Sequence, residues 1–312
     1  MKDLHELPKL RDGLSFLYVE HCKIDQDMQS ISIRDAEGRT PVPCAALSVL
    51  MLGPGTRITH AAIRTLAENG CLVVWCGENS VRFYAQGLGE TRSAARLLRQ
   101  AKLCANSDLR LQVVMRMYRK RFQEVIPEGL SLNQIRGKEG IRVRETYARL
   151  AEETGVSWTG RSYNRKNWSE TDPVNKALSV ANSCLYGICH AAIVSLGYSP
   201  GLGFIHTGKQ LSFVYDIADL YKTEITIPAA FQAAVDIGEA GGLEREVRLA
   251  CRDLFKETRL LARIAEDIDD VLSVQGVITE TDEKDMDSDA ALPGGVWDPE
   301  AKQVEGGINY GT

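Results

Sequence analysis

The chain has no CxxC pair among its eight cysteines, Cys22, Cys44, Cys71, Cys76, Cys104, Cys184, Cys189 and Cys251. A structural zinc site needs thiolates paired at short spacing to close a tetrahedron, so none is expected. Small apolar fillers in a reducing cytosol are expected instead. The opening residues, MKDLHELPKLRDG, lack an apolar run, and no secretory signal is expected. There is no internal repeat. Between Ala177 and Gly208 there is no Asp, Glu, Lys or Arg, a stretch long enough to span a bilayer. Asn182, Ser183, His190, Ser195, Pro200 and several glycines interrupt it, which fits a buried helix better. A soluble cytoplasmic protein without membrane contact is the expectation.

What is present is ordinary in amount and uneven in placement. At 312 residues the chain is about twice a typical domain, and its 44% hydrophobic and 25% charged residues suit packed cores. The formal charge of −5 conceals two opposed regions. From Gly276 onward nine acids face Lys284 and Lys302, a net of −7, which leaves the preceding body at +2. Within that body, Arg92 to Lys166 carries seventeen Lys and Arg against seven Asp and Glu. A basic segment of that size points to an anionic partner such as nucleic acid, or to solvated basic helix faces.

The periodicity divides the chain. Leu14–Val19, Ser30–Ile33, Ala46–Leu52, Cys71–Cys76 and Val81–Ala85 read as strands, with a turn over Ile24–Asp27. Thr59 can cap a helix running to Glu68. After Gly87–Glu90, apolar residues recur three and four apart over Ser93–Ala105, Asp108–Glu124, Ser131–Thr154, Val174–Leu196 and Leu243–Leu272. The fold class is therefore α+β: a small β-rich N-terminal domain over 1–88, then a larger all-α C-terminal domain over 92–275. The acidic tail, 276–312, is expected to be disordered.

Chemistry concentrates in Gly201–Leu220. Asp216 and Asp219 lie three apart on a helix among the apolar Phe213, Val214, Ile217 and Leu220. Two carboxylates on one such face repel and lose hydration, so they need a compensating cation. A capping aspartate or a salt-bridged pair would satisfy the same pattern. His206, upstream in a glycine-rich loop, adds the mixed ligand set of a hydrolytic Mg²⁺ or Mn²⁺ site. Gly203–Lys209 also fits GxxxxGK, but Gln210 stands where a phosphate-binding loop needs Ser or Thr, and no strand clearly precedes it. In RGKEGIRVR, Glu139 lies among four cations and between two glycines; it is either an ion-paired surface residue or a third ligand. Arg245, Arg248 and Arg252 form a stripe that suits a solvated face or a DNA-backbone track. The residues alone support a metal-dependent enzyme acting on a polyanion.

HTGKQLSFVYDIADL, RGKEGIRVRETYA, SCLYG, REVRLACRDLF and MLGPGTRITHAAI, in order between residues 10 and 275, resemble the CRISPR adaptation integrase. This is the first CRISPR-associated protein family, in the branch that accompanies type I-E (Cascade) systems. The resemblance implies an N-terminal β domain for dimerisation and DNA contact, and a helical catalytic domain. It implies a homodimer that joins a smaller second CRISPR adaptation protein in a heterohexamer, with a host DNA-bending protein assisting. The substrates would be double-stranded DNA, the incoming fragment and the CRISPR repeat. The metal ligands would be Glu139, His206 and Asp219, with Asp216 a further required acid, Tyr186 a supporting residue and Lys209 added positive charge. Arg57, Arg64, Arg82, Arg136, Arg245, Arg248 and Arg252 match positions of DNA contact or of the active-site surroundings. One departure is His21, which stands where relatives tend to carry a tyrosine that stacks on the fragment end.

The implied reaction is metal-dependent strand transfer, in which a fragment 3′-hydroxyl attacks a repeat phosphodiester without ATP. The same site with water as nucleophile is an endonuclease. Two rivals are a stand-alone metal-dependent nuclease acting on branched DNA in repair, and a DNA-binding assembly subunit whose acids are structural.

Overall fold

The computed structural model describes residues 16–28, 30–44, 47–78, 83–87, 94–122, 125–127, 129–162, 171–237, 242–274, 296–299 and 302–304. Among the described residues, eight strands and one helix make up the N-terminal part: β1 (Phe16–Val19), β2 (Lys23–Asp27), β3 (Ser30–Arg34), β4 (Arg39–Pro43), β5 (Val49–Leu52), β6 (Arg57–Ile58), α1 (His60–Glu68), β7 (Leu72–Cys76) and β8 (Phe83–Gln86). They form two four-stranded sheets, ordered β1-β5-β7-β8 and β4-β3-β2-β6. The first three strands of the former run parallel, and β8 closes it antiparallel. The segment Ile24–Asp27, expected as a turn, is instead strand β2, paired with β3 from Lys23 opposite Arg34 to Asp27 opposite Ser30. Its polar residues misled the composition reading, because only Ile24 is buried there. The reversal falls after it, where Met28 takes a positive φ of 53°. Strand β4 was not anticipated: it carries Pro41 and Pro43, which an edge strand tolerates.

The apolar runs in β5 and β7 follow from burial on both faces. Leu50, Leu52 and Val73 join Ile24, Ile31 and Leu66 in a core between the two sheets and α1. Val49, Met51, Leu72 and Val74 face the opposite way and enter the main core of the helical part. That main core crosses the boundary expected near residue 88.

The helical part comprises α2 (Ala95–Ala105), α3 (Ser107–Arg121), α4 (Leu132–Thr154), α5 (Pro173–Ser195), α6 (Ser212–Ala218), a π-helical turn (Lys222–Thr226), α7 (Ile227–Ile237), α8 (Leu243–Glu257) and α9 (Leu260–Leu272). Local chemistry sets its starts: Asn106 caps α3, Ser131 and Gln134 form a reciprocal capping box on α4, and Asp172 with Pro173 opens α5. The helix expected over Leu243–Leu272 is two helices. Leu243, Val247, Cys251 and Phe255 line the buried face of α8, but the next core positions would fall on Thr258 and Arg259. Arg259 takes a left-handed φ of 48°, and α9 restarts with Leu260 and Leu261 buried. Helix α5 is the centre, packed against α6, α7, α8 and α9. It is the only described helix long and apolar enough to cross a membrane, and 72% of its apolar window is buried inside the protein. Within the tail, Val296–Asp298 and Lys302–Val304 pair antiparallel, so disorder does not hold for those residues; the rest of it lies outside the described residues.

Sheet and central helix meet where Phe83 of β8 stacks on His190 of α5, ring centroids 3.6 Å apart and 20° from parallel. Burial pushes the His190 pKa from 6.5 down to about 4. The unfolded chain therefore binds a proton that the folded one refuses, so stability should fall as pH drops from 6.5 towards 4. His190→Phe keeps a stacking ring and removes the titration. Its Tm is expected to decline less steeply than the wild-type Tm across that interval in paired thermal melts; parallel declines would contradict this.

Candidate metal centre

The site is built on the loop between α5 and α6. From one side Gln100, wholly buried on α2, donates to the carbonyls of Ser199 (3.0 Å) and Leu202 (2.9 Å) and accepts from the Ser199 N–H (2.8 Å). Arg110 of α3 donates through Nη2 and Nε to the Phe204 carbonyl at 2.8 and 3.0 Å. Gly203 is required by close approach, since a Cβ there would collide with the His206 carbonyl and with Ser212. The Ser212 hydroxyl donates to the Lys209 carbonyl at 2.8 Å and so ties the loop to the start of α6.

Asp216 holds the loop from the other side. It is fully buried on α6. One carboxylate oxygen accepts from the Phe204 and Ile205 N–H groups (2.5 and 3.1 Å), and the other from the His206 N–H at 2.8 Å. The second oxygen also lies 2.7 Å from His206 Nδ1. A carboxylate so surrounded only accepts, so Nδ1 carries a proton, and in the neutral imidazole Nε2 is the nitrogen that has a lone pair. That nitrogen faces Asp219, 3.9 Å from Oδ2. Both Asp216 oxygens are thus used by loop donors, and of the two aspartates it is Asp219 that meets the free imidazole nitrogen.

Asp219 caps α6 and receives Lys222 Nζ at 2.6 Å. Burial, the largest influence, would raise its pKa, but Lys222, then Arg121, bring it below the ordinary aspartate value. Lys222 is itself largely withdrawn from solvent, its side chain 23% exposed, which would lower its pKa, but Asp219 and Tyr186 carry it above the usual lysine value. Its ammonium lies 4.9 Å over the Tyr186 ring, and Tyr186 meets Tyr215 edge-on at 5.1 Å. Glu139 projects from α4, where Gly137 and Gly140, expected as flexible points, are helical and border open space. Arg142 grips Glu139 with two bonds of 3.0 Å. Between Glu139 and Asp219 stands the buried guanidinium of Arg121, 3.8 and 3.4 Å from their oxygens.

Asp219 therefore links the other two, lying 3.9 Å from His206 Nε2 and sharing the Arg121 guanidinium with Glu139, so a cation of the protein's own stands between the two carboxylates. Among the described residues no three acidic, histidine or cysteine side chains stand close enough to hold a metal as they are. The donors nevertheless fit Mg²⁺ or Mn²⁺: two carboxylates and an imidazole nitrogen, the imidazole backed by a buried carboxylate as ligating histidines are.

The remaining expected residues are dispersed. Lys209 is exposed three residues beyond His206, and Arg136 is exposed on α4 one turn before Glu139. Arg57 lies in β6 and Arg64 on α1, where it pairs with Glu68 at 3.6 Å. The arginine stripe of α8 is ion-paired: Arg245 with Glu246, Arg248 with Glu78 and Arg252 with Asp253. Arg82 lies outside the described residues. His21 is exposed with a strained φ of 50°. Sequence reasoning missed Arg121, Arg142, Lys222 and Gln100 in these roles. The i, i+3 spacings Glu139–Arg142 and Asp219–Lys222 could have revealed two of them. Beside the site opens a cleft of about 760 Å³ whose wall includes Lys120, Arg121, Lys138, Arg142, Arg149 and Arg263, against Glu145, Glu224 and Asp267.

A family model described as CRISPR associated protein Cas1 matches residues 16–127 and 118–234. The CRISPR-associated endonuclease Cas1 2 of Thermus thermophilus is 59% identical over 310 residues, 99% of this chain and 94% of its own length. The CRISPR-associated endonuclease Cas1 of Escherichia coli K12 is 46% identical over 271 residues, 86% of this chain and 88% of its own. Among solved structures, a crystal structure of a TtCas1–DNA complex superposes with a TM-score of 0.78 at 60% identity, covering 86% of this chain and all of that one. A CAS1 protein from Thermotoga maritima, 15% identical with a TM-score of 0.59 over 86% of this chain and all of that one, shares the fold.

Removing the Asp216 carboxylate leaves three backbone N–H groups and an imidazole N–H without their acceptor in the interior. Asp216→Ala is expected to lower unfolding free energy by about 3–5 kcal/mol. In urea melts with EDTA this is read directly, and a loss under about 1 kcal/mol would contradict the assigned role.

Proposed function

The chain belongs to the CRISPR-associated protein Cas1 family, and we propose that it inserts short DNA fragments into a CRISPR array as a metal-dependent integrase and endonuclease. The observation that carries this reading is the imidazole of His206, oriented by buried Asp216 so that its free nitrogen meets Asp219 across from Glu139. These three residues would hold Mg²⁺ or Mn²⁺. The ion, when bound, supplies positive charge to a phosphoryl oxygen and favours ionisation of the attacking hydroxyl.

Other residues prepare that site. Asp216 keeps the imidazole proton on Nδ1, and Lys222 and Arg142 hold Asp219 and Glu139 as anchored anions. Tyr186 acts through Lys222, whose ammonium it covers. The basic wall of the cleft, with Arg136 and Lys209 at exposed positions, suits the sugar-phosphate backbone. The fragment 3′-oxygen forms a bond to a repeat phosphorus while the P–O bond to the repeat's own 3′-oxygen breaks. One phosphodiester replaces another, so no nucleotide triphosphate is consumed. Water in place of the fragment end gives strand cleavage.

The same reading extends to a cytoplasmic homodimer and to a heterohexamer with the smaller second adaptation protein. A host DNA-bending protein would assist, in the type I-E branch suggested by the motif resemblance. The β-rich 1–88 portion would serve dimerisation and DNA contact, and 92–275 catalysis. Its support is the likeness to a chain crystallised with DNA, and, for a reducing compartment, eight cysteines that are all free.

The test is an integration assay with labelled fragment and a supercoiled repeat plasmid, with and without the smaller adaptation protein, in EDTA, Mg²⁺ or Mn²⁺. Plasmid-linked label is expected only with both metal and partner. His206→Ala and Asp219→Ala are expected to lose it by about 100-fold or more, while fluorescence anisotropy shows DNA binding within about twofold of wild type. Integration retained in either variant would overturn the ligand assignment. Degradation of branched DNA by the protein alone, without joining, would favour a repair nuclease.

A further inference from the structure

Arg121 is a buried guanidinium without a good partner. Its side chain is 4% exposed at the last position of α3. Strong arginine–carboxylate pairs are bidentate and near 2.8 Å, yet Arg121 lies 3.4 Å from Asp219 and 3.8 Å from Glu139. Among the described residues its one hydrogen bond is a 3.4 Å contact from Nη2 to the Asp216 carbonyl, and Nε has no partner. Each carboxylate keeps its short contacts for another cation: Glu139 for Arg142 at 3.0 Å, Asp219 for Lys222 at 2.6 Å. Burying a charge so poorly bonded is costly, and the charge around it, with the Tyr118 ring beside it, offsets that cost. Glu139, Asp216 and Asp219 are three anions; Arg142, Lys222 and Arg121 are three cations. Without Arg121 the cluster, with the imidazole neutral, is left with one uncompensated negative charge between Glu139 and Asp219.

We propose that Arg121 is a displaceable internal counter-ion that occupies the place of the divalent cation in the metal-free protein. This rests on the metal-centre reading given above. A divalent ion at that point brings two more positive charges beside a guanidinium within 4 Å of its ligands, so the two cations exclude each other. The guanidinium must withdraw when metal enters. The Tyr118 ring already covers the guanidinium, 5.1 Å from its carbon, and the anionic backbone of bound DNA would offer it a new partner. Arg121 therefore weakens metal binding when no DNA is present and keeps the two carboxylates from repelling each other meanwhile.

The test is Mn²⁺ binding to the full chain without DNA, measured by the electron paramagnetic resonance signal of free Mn²⁺, alongside Tm in EDTA. Arg121→Met is expected to bind Mn²⁺ about 10-fold more tightly than wild type, with a lower Tm in EDTA and a larger rise on adding Mn²⁺. Should the methionine variant not fold, Arg121→Lys decides: its shorter reach lightens the competition, so affinity is expected to rise about threefold. Affinity equal to or below wild type in the folded variant overturns the proposal. Glu139→Gln and His206→Ala separate the two readings. If they lose Mn²⁺ while Arg121→Met gains nothing, only the counter-ion role fails; if no protein binds Mn²⁺, the metal centre fails with it.

Discussion

A single buried carboxylate organises the site. Asp216 has no solvent exposure, yet it is satisfied by three consecutive backbone N–H groups and by the His206 imidazole. The placing of His206 depends on that arrangement. It ties residues 204–206 to α6, fixes the orientation of the His206 ring, and directs Nε2 towards Asp219. Gln100 and Arg110 brace the same loop from α2 and α3, so the imidazole is held between two packed layers. A histidine on a glycine-rich loop thereby gains the fixity of one on a helix.

The second constraint is charge. Glu139 and Asp219 come from α4 and from the end of α6, and their repulsion would open the site without compensation. Arg142 and Lys222, each one helical turn along the same segment, neutralise them locally, and Arg121 bridges the gap. The unusual backbone after Asp219, a π-helical turn beginning at Lys222, lies where a helix would otherwise run straight on into α7. The cleft alongside, lined by six Lys and Arg side chains and by Glu145, Glu224 and Asp267, shares Arg121 and Arg142 with the site.

Much of this was legible in the sequence. The change from β-type composition to helical period near residue 88 marks the α+β organisation, which the Cas1-family neighbour shares. Thr59, Ser131 and Pro173 announce helix starts because capping is local chemistry. Asp216, Asp219 and His206 stand close in the chain, and their convergence could be foreseen. The burial that separates their roles could not, because it depends on Phe204 and α6 packing together. Arg121 was invisible for a different reason: it is separated by nearly a hundred residues from the aspartates it serves, and one arginine in a run of basic residues carries no mark. Errors arose where composition outweighed context. Polar Asp25, Gln26 and Asp27 sit in a ladder whose backbone bonding does not consult side chains. The apolar period of α8 and α9 hid a break at Arg259.

The central claim is that His206, freed at Nε2 by Asp216, joins Glu139 and Asp219 around one divalent ion. Electron spin echo envelope modulation of the Mn²⁺-loaded protein tests it directly, because a coordinated imidazole imprints a nitrogen coupling on the manganese signal. The account requires that coupling in the wild type and its loss in His206→Ala. Bound Mn²⁺ without nitrogen modulation, or modulation that survives the substitution, would contradict it.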